Sequence, residues 1–189
     1  MTDPRAWEFG QLPMVLGPLI GLRAFRMTED GLTGVHKQVP WGPGENVAEC
    51  LATASDYAAW DGYCYGSYAA AIADWKPHVE RAPFMHCSCG WYAYVDGSNT
   101  YLTTSRVAGL IEGYGHLVVG SRGFRAEKAR IVALIQPGEM TYDEEFEWRS
   151  VCAAYPDAVT FTSVDEALAR FPLTPVDLKA VSAVEKQAS

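Results

Sequence analysis

Between Arg106 and Ile135 short apolar runs alternate with glycines, and this stretch constrains the fold more than any other part of the chain. Arg106 to Glu112 and His116 to Ser121 read as strands, after which Arg122-Gly123 turns the chain into Phe124 to Ile135. That last segment is ambiguous on composition. Arg125 to Arg130 are good helix formers, whereas Ile131-Val132-Ala133-Leu134-Ile135 suits a buried strand. The Gly123 turn leaves little room for anything except a reversal, so a strand paired with His116–Ser121 is expected. The glycines at 109, 113, 115, 120 and 123 are spaced like sheet punctuation, not like a phosphate-binding loop.

Upstream, Leu19 to Met27 places Ile20, Leu22, Ala24 and Arg26 on one strand face. The Glu29-Asp30-Gly31 turn and a second strand, Leu32 to Lys37, complete an expected hairpin. Pro40-Trp41-Gly42-Pro43-Gly44 is expected to break the sheet, with a short helix from Glu45 to Ala54 carrying Cys50. Residues 55–76 read as a helical, aromatic-rich insertion. Downstream, a helix is expected from Thr141, with Asp143-Glu144-Glu145 at its amino end and Phe146, Val151 and Tyr155 on its apolar side. Ala158 to Thr162 reads as a short strand. Ser163 then caps a helix, Glu166 completes a capping box, and Val164, Ala167, Leu168 and Phe171 face inward. The expected fold is α+β, a mainly antiparallel sheet with helices packed on one side. Residues 1–18 form a loosely structured lead-in, 19–175 a single domain, and 176–189 a frayed tail.

A chain of 189 residues, 49% hydrophobic and 20% charged, can bury a core without disulfide help. Its formal net charge of −8 disfavours broad attraction to nucleic acid or anionic lipid. The amino-terminal residues lack a basic segment followed by an apolar core, and no run approaches the roughly 20 apolar residues of a membrane span. Five cysteines in such a chain read as reduced thiols. A cytoplasmic protein with no membrane partner is the expectation.

The chemistry-bearing stretch is His86-Cys87-Ser88-Cys89-Gly90-Trp91-Tyr92-Ala93-Tyr94. On a strand, thiols at i and i+2 share a face, so Cys87 and Cys89 can meet one ion, with Cys50 as third ligand and His78 or His86 as fourth, His78 being the easier because His86 sits on the opposite strand face. The favoured reading of these thiols is as small buried hydrophobes, and a zinc site is the alternative. Cysteine catalysis would pair Cys87 with His116 or His36, but no spacing compels it. No catalytic residue is assigned. Arg122, Arg125, Lys128 and Arg130 form a basic hairpin that could hold a phosphate backbone. A charged sheet edge that blocks edge pairing competes with that reading. Trp60, Tyr63, Tyr65, Trp75 and Trp91 raise the case for a protein-binding surface, because Trp and Tyr anchor interfaces.

Ala82-Pro83-x3-Cys87-x-Cys89-Gly90-Trp91-Tyr92-Ala93, followed by Gly120-x2-Gly123-Phe124-Arg125-Ala126-Glu127-x-Ala129, resembles a group of uncharacterised proteins encoded by actinobacteria and their phages. The likeness takes in Gly21 to Phe25, Trp41 and Cys50, roughly residues 20–135. In that group a histidine often stands three residues before the proline; here that position is Glu80. The resemblance implies a bacterial or phage origin and a shared fold, and no activity.

These readings favour a non-enzymatic protein-interaction or regulatory module, metal-stabilised if zinc is bound, acting on a protein partner or by self-association. A nucleic-acid-binding regulatory domain built on the Arg122–Arg130 hairpin is the alternative. A cysteine-dependent enzyme is third.

Overall fold

A computed structural model describes residues 9–12, 17–35, 38–50, 82–83, 89–96 and 107–175. The segments expected as an aromatic insertion (55–76) and a frayed tail (176–189) lie outside the described residues.

Among the described residues nine strands form one mostly antiparallel sheet: β1 (Phe9–Leu12), β2 (Leu19–Thr28), β3 (Gly31–Gly34), β4 (Pro40–Trp41), β5 (Asn46–Val47), β6 (Trp91–Tyr94), β7 (Val107–Gly120), β8 (Gly123–Ile135) and β9 (Val159–Phe161). Helices α1 (Tyr142–Ala154) and α2 (Val164–Arg170) flank β9 in sequence. The β7–β8 hairpin is the spine. Gly120 faces Gly123 across a two-residue turn, and pairing runs to Ala108↔Ile135. β8 is therefore a strand, as the Gly123 turn implied. The two strands expected at 106–112 and 116–121 are one continuous strand, β7. Its intervening glycines do not end it, because the register shifts between Tyr114 and Leu117, and a bulge absorbs the irregularity without breaking the ladder.

β2 pairs along β7 from Leu19↔Gly113 to Phe25↔Val107, and β6 pairs along β8 from Trp91↔Ala126 to Tyr94↔Gly123. β6 also touches β2 at Leu22↔Tyr94. The pairings β2–β7–β8–β6–β2 thus form a closed circuit. The β2–β3 hairpin forms as expected, with Thr28↔Gly31 at its turn.

Three upstream expectations are corrected. Residues 9–12, assigned to a loose lead-in, form β1 against Leu117–Gly120. Pro40–Trp41 does not break the sheet but pairs with Leu32 and Thr33 as β4. No helix begins at Glu45. The Asn46 carboxamide accepts from Gly42 N–H at 2.7 Å and donates to the Gly42 and Gly44 carbonyls, closing the turn and feeding Asn46–Val47 onto Lys128–Ala129 as an extended strand.

Two apolar clusters share the spine. The first gathers Phe25, Leu32, Trp41, Trp91, Ile111, Val119, Phe124 and Leu134, with Trp148 and Val151 from α1 and Tyr155 just past its end. The second gathers Leu22, Ala108, Leu110, Ala133 and Ile135, covered by Ala167 of α2 and by Phe161, Val164, Leu168 and Phe171. The inward face read for α2 is the observed one. After α2 the chain is tied to β2, where Thr174 N–H donates to Ile20 O and Ile20 N–H to Thr174 Oγ1. α1 packs on β2 and β3 while α2 packs on β8 and β9. The expectation of helices gathered on one side finds no support in this division. No helix among the described residues is long and apolar enough to cross a membrane.

Both helix starts obey local chemistry, with one exchange of roles. At α2, Ser163 Oγ accepts from Glu166 N–H at 3.2 Å, but the Glu166 carboxylate reaches past it to the Thr162 N–H and hydroxyl. The complete capping box belongs to α1. Thr141 Oγ1 accepts from Glu144 N–H, and Glu144 Oε2 accepts from Thr141 N–H at 2.7 Å. These bonds hold the Glu144 carboxylate below its ordinary value of 4.5. Thr141→Ala is expected to cost about 1 kcal/mol in urea unfolding at neutral pH. A depressed carboxylate contributes fully above its unfolded value, and the contribution is lost as pH falls through the folded one. Glu144→Gln should therefore flatten the stability profile below pH 4.5, and an unchanged acid limb would show that the box contributes nothing.

Candidate functional site

The candidate site is built where the cysteine–aromatic stretch meets β8. Cys89 and Gly90 precede β6, so Cys89 does not lie on a strand as the sequence suggested. Gly90 has φ +108°, a conformation that side chains with a Cβ rarely adopt. A Cβ there would stand 2.8 Å from Pro83 Cβ and 3.2 Å from Arg125 Cβ, so the glycine lets two neighbouring segments close over it. Cys89 is buried with Ala82 in a small apolar cluster, against which Ala48 and half-buried Cys50 pack. Two of the four expected metal ligands, Cys50 and Cys89, are thus brought to one place. Cys87 and His78 lie outside the described residues. Among the described residues no group of three or more His, Cys, Asp or Glu side chains converges on a common point.

Arg125 organises this corner. It is fully buried, opposite Tyr92 in the β6–β8 ladder, with its Nη1 donating to Cys89 O at 3.2 Å and its guanidinium carbon 5.7 Å from the Tyr92 ring centroid.

Beyond β6 an aromatic stack continues inward. Trp91 is 8% exposed, with its ring 4.2 Å from Trp41, which in turn meets Phe25 edge-on at 5.3 Å. Trp91, expected at a binding surface, is a core residue. Period-two alternation on β6 sends Trp91 and Ala93 inward and leaves Tyr92 and Tyr94 half-buried. Sequence reasoning missed Arg23, whose Nη1 donates to Tyr92 O at 2.6 Å and whose guanidinium lies 4.8 Å from the Trp41 ring. Burial pulls Arg23 down to about 10, an effect that Tyr92 and Tyr94 partly offset, and it stays charged at neutral pH. Its only sequence signal is a cation between Leu22 and Ala24 inside an apolar strand.

The basic hairpin looks different in three dimensions. Arg125 is buried, Arg122 pairs with Asp96 at 3.2 Å, Lys128 with Glu45 at 3.1 Å, and Arg130 with Glu112. Glu45 also accepts from the Tyr114 hydroxyl at 3.0 Å, and bonds from Lys128 and Tyr114 hold its carboxylate below the ordinary range. Each exposed cation of the hairpin therefore has a carboxylate beside it. That arrangement leaves no row of bare cations for a phosphate track, and the expected charged sheet edge is corrected too, because β8 pairs with β7 on one side and with β6 and β5 on the other.

Of the groups weighed for catalysis, His116 sits at the β7 bulge, where its backbone N–H donates to Glu127 Oε2 at 2.8 Å. Cys152 is half-buried on α1, and burial pushes its thiol up, away from the reactive thiolate form. His36 and Cys87 lie outside the described residues.

The other exposed feature is on α1. Trp148 and Val151 are buried along with Tyr155 at its end, whereas Phe146, read as part of that apolar side, is 69% exposed. The correction follows from helix geometry, since residues five apart, Phe146 and Val151, stand about 140° from each other around the axis. Tyr142, four residues before Phe146 and 84% exposed, shares its outward face. Both are ringed by Asp143, Glu145 and Glu147, while Arg149 is occupied by Glu145 at 3.7 Å.

Three comparisons place no relative beside this chain: no protein-family model matches it, no curated protein matches it, and no solved structure matches it.

Proposed function

We propose that this chain is a non-catalytic, cytoplasmic interaction module that binds another protein through the outward face of α1. The observation that carries this is the Tyr142–Phe146 pair, two large aromatics held in solvent on adjacent turns of a helix whose opposite face is firmly buried. Solvated aromatics lower a protein's solubility and return nothing to its own fold, whereas at an interface they are the side chains that anchor binding. The surrounding carboxylates define the partner's chemistry as an apolar pocket rimmed by lysine or arginine. A second copy presenting the same acidic face would be repelled. The thiols of Cys50, Cys89 and Cys152 suit a reducing compartment.

The test compares wild type with Tyr142→Ser/Phe146→Ser. Both positions are exposed, so the pair of changes should alter stability by no more than about 0.5 kcal/mol per site. Proteins recovered from source cells on the immobilised wild-type chain are ranked by retention on the variant. A partner with a basic-rimmed apolar surface, held at least tenfold less well by the variant and released by salt, supports the reading. Equal retention of every captured protein by both chains overturns it.

A further inference from the structure

We propose that Arg23, Trp41 and Trp91 form a binding site for a small organic acid, the guanidinium and indole N–H groups receiving its carboxylate and the rings packing on its apolar body. The Nε of Arg23 and the Nε1 of each tryptophan are buried, and among the described residues none of them has a hydrogen-bond partner. The three side chains touch in series. The Arg23 guanidinium lies 4.8 Å from the Trp41 ring centroid, and that ring lies 4.2 Å from Trp91. All three orphaned atoms are donors. Buried donors are normally partnered, and each one left over costs the fold its lost hydration. A shared polarity on three neighbouring side chains is what a bound acceptor would match.

Charge sets the class of ligand. Arg23 Nη1 donates to the Tyr92 carbonyl, which brings no net charge, and no carboxylate among the described residues pairs with the guanidinium. Burial pulls Arg23 down to about 10, so it keeps its positive charge at neutral pH. A monoanion balances that charge, whereas a phosphate dianion exceeds it. A carboxylate fits the planar guanidinium fork and has lone pairs left over for indole N–H groups. Phe25 meets Trp41 edge-on at 5.3 Å, so the surroundings are aromatic and suit an acid with an apolar body.

The strand arrangement explains the location. Gly21, Arg23 and Phe25 alternate onto one face of β2. That face is turned toward the first cluster, where a Cβ at Gly21 would meet Ala93 and Phe124. β2 and β6 share only the register point Leu22↔Tyr94, and beside it the Arg23 side chain, not a ladder, links the strands at Tyr92. Arg23 as a whole is half-buried, so this seam reaches solvent.

The experiment titrates the full wild-type chain by calorimetry with benzoate and octanoate, with benzamide and octanamide as their uncharged matches and inorganic phosphate as a competing anion. About one equivalent of acid bound is expected, with the matching amide at least tenfold weaker and phosphate weaker than the acid. Arg23→Met removes the charge and keeps a long side chain, and should lower acid affinity at least tenfold. Trp91→Phe keeps a ring and removes its donor, and should lower affinity about two- to tenfold. Replacing a buried cation by an apolar side chain is often tolerated, and circular dichroism checks that each variant is folded. Should a variant unfold, the wild-type comparison of acid with amide decides alone. The proposal is overturned if the wild type binds neither acid, if an amide or phosphate binds as tightly as the acid, or if folded Arg23→Met binds as the wild type does. None of these results touches the α1 reading, which is tested at Tyr142 and Phe146.

Discussion

Gly123→Ala is expected to cost at least about 3 kcal/mol, enough to leave a marginally stable domain mostly unfolded. Gly123 opens β8 opposite Gly120 of β7 and Tyr94 of β6. A Cβ added there would stand 2.0 Å from Ala93 O and 3.0 Å from Tyr94 Cα. Both atoms belong to backbone inside the ladder, so no side chain can swing away to relieve the overlap. Relief requires parting β6 from β8, which would also draw Trp91 and Ala93 out of the first cluster. Gly138, with nothing within 4 Å of the corresponding position, is the matched control and should change stability by no more than about 0.5 kcal/mol. Urea unfolding of the two variants checks this directly. A Gly123→Ala chain as stable as wild type would mean that β6 does not lie against β8 in this register.

Phe124→Ala should cost about 3–5 kcal/mol. The ring is 1% exposed and is seated over two residues that have no side chains. A Cβ at Gly113 would be 2.3 Å from Phe124 Cε2, and one at Gly21 would be 2.8 Å from Cε1. Truncating the ring therefore leaves a void that neither glycine can fill, the circumstance in which cavity cost is highest. The complementary change sharpens the test. Gly113→Ala should be strongly destabilising in the wild-type background and much less so beside Phe124→Leu, leaving a residual clash with Ala126 Cβ at 2.9 Å. A double-mutant cycle measures this coupling, and strict additivity would show that ring and glycine do not share the space.

The parts of the molecule legible in the sequence are those governed by neighbours along the chain. The Gly123 reversal, the β2–β3 hairpin, the inward face of α2 and the acidic first turn of α1 each follow from residues within a few positions of one another. The parts that escaped are set by distant partners. Nothing local to Trp41 or Asn46 announces that one pairs with Leu32 and the other with Ala129. The glycines at 113 and 115 look like breaks until β8 is seen running past them and a bulge taking up the slack. Arg125 resembles its neighbours Arg122 and Lys128 in composition, yet it is buried because the Cys89 segment crosses over it, a contact spanning 36 positions. For the site, Cys89 follows from its spacing with Cys87 and Cys50 from residue type, and only the fold brings Cys50 and Cys89 together. Phe146 was misplaced by a simple matter of helical phase.

The β7–β8 hairpin contributes to both apolar clusters, with Ile111 and Leu134 to one and Leu110 and Ala133 to the other. A wall common to two rooms cannot be removed from one alone. Melting either cluster would strip the hairpin of half its cover, so neither half of the described body is expected to persist while the other is denatured. Heat denaturation is expected to be a single cooperative event, with backbone amides of both clusters exchanging through the same global opening.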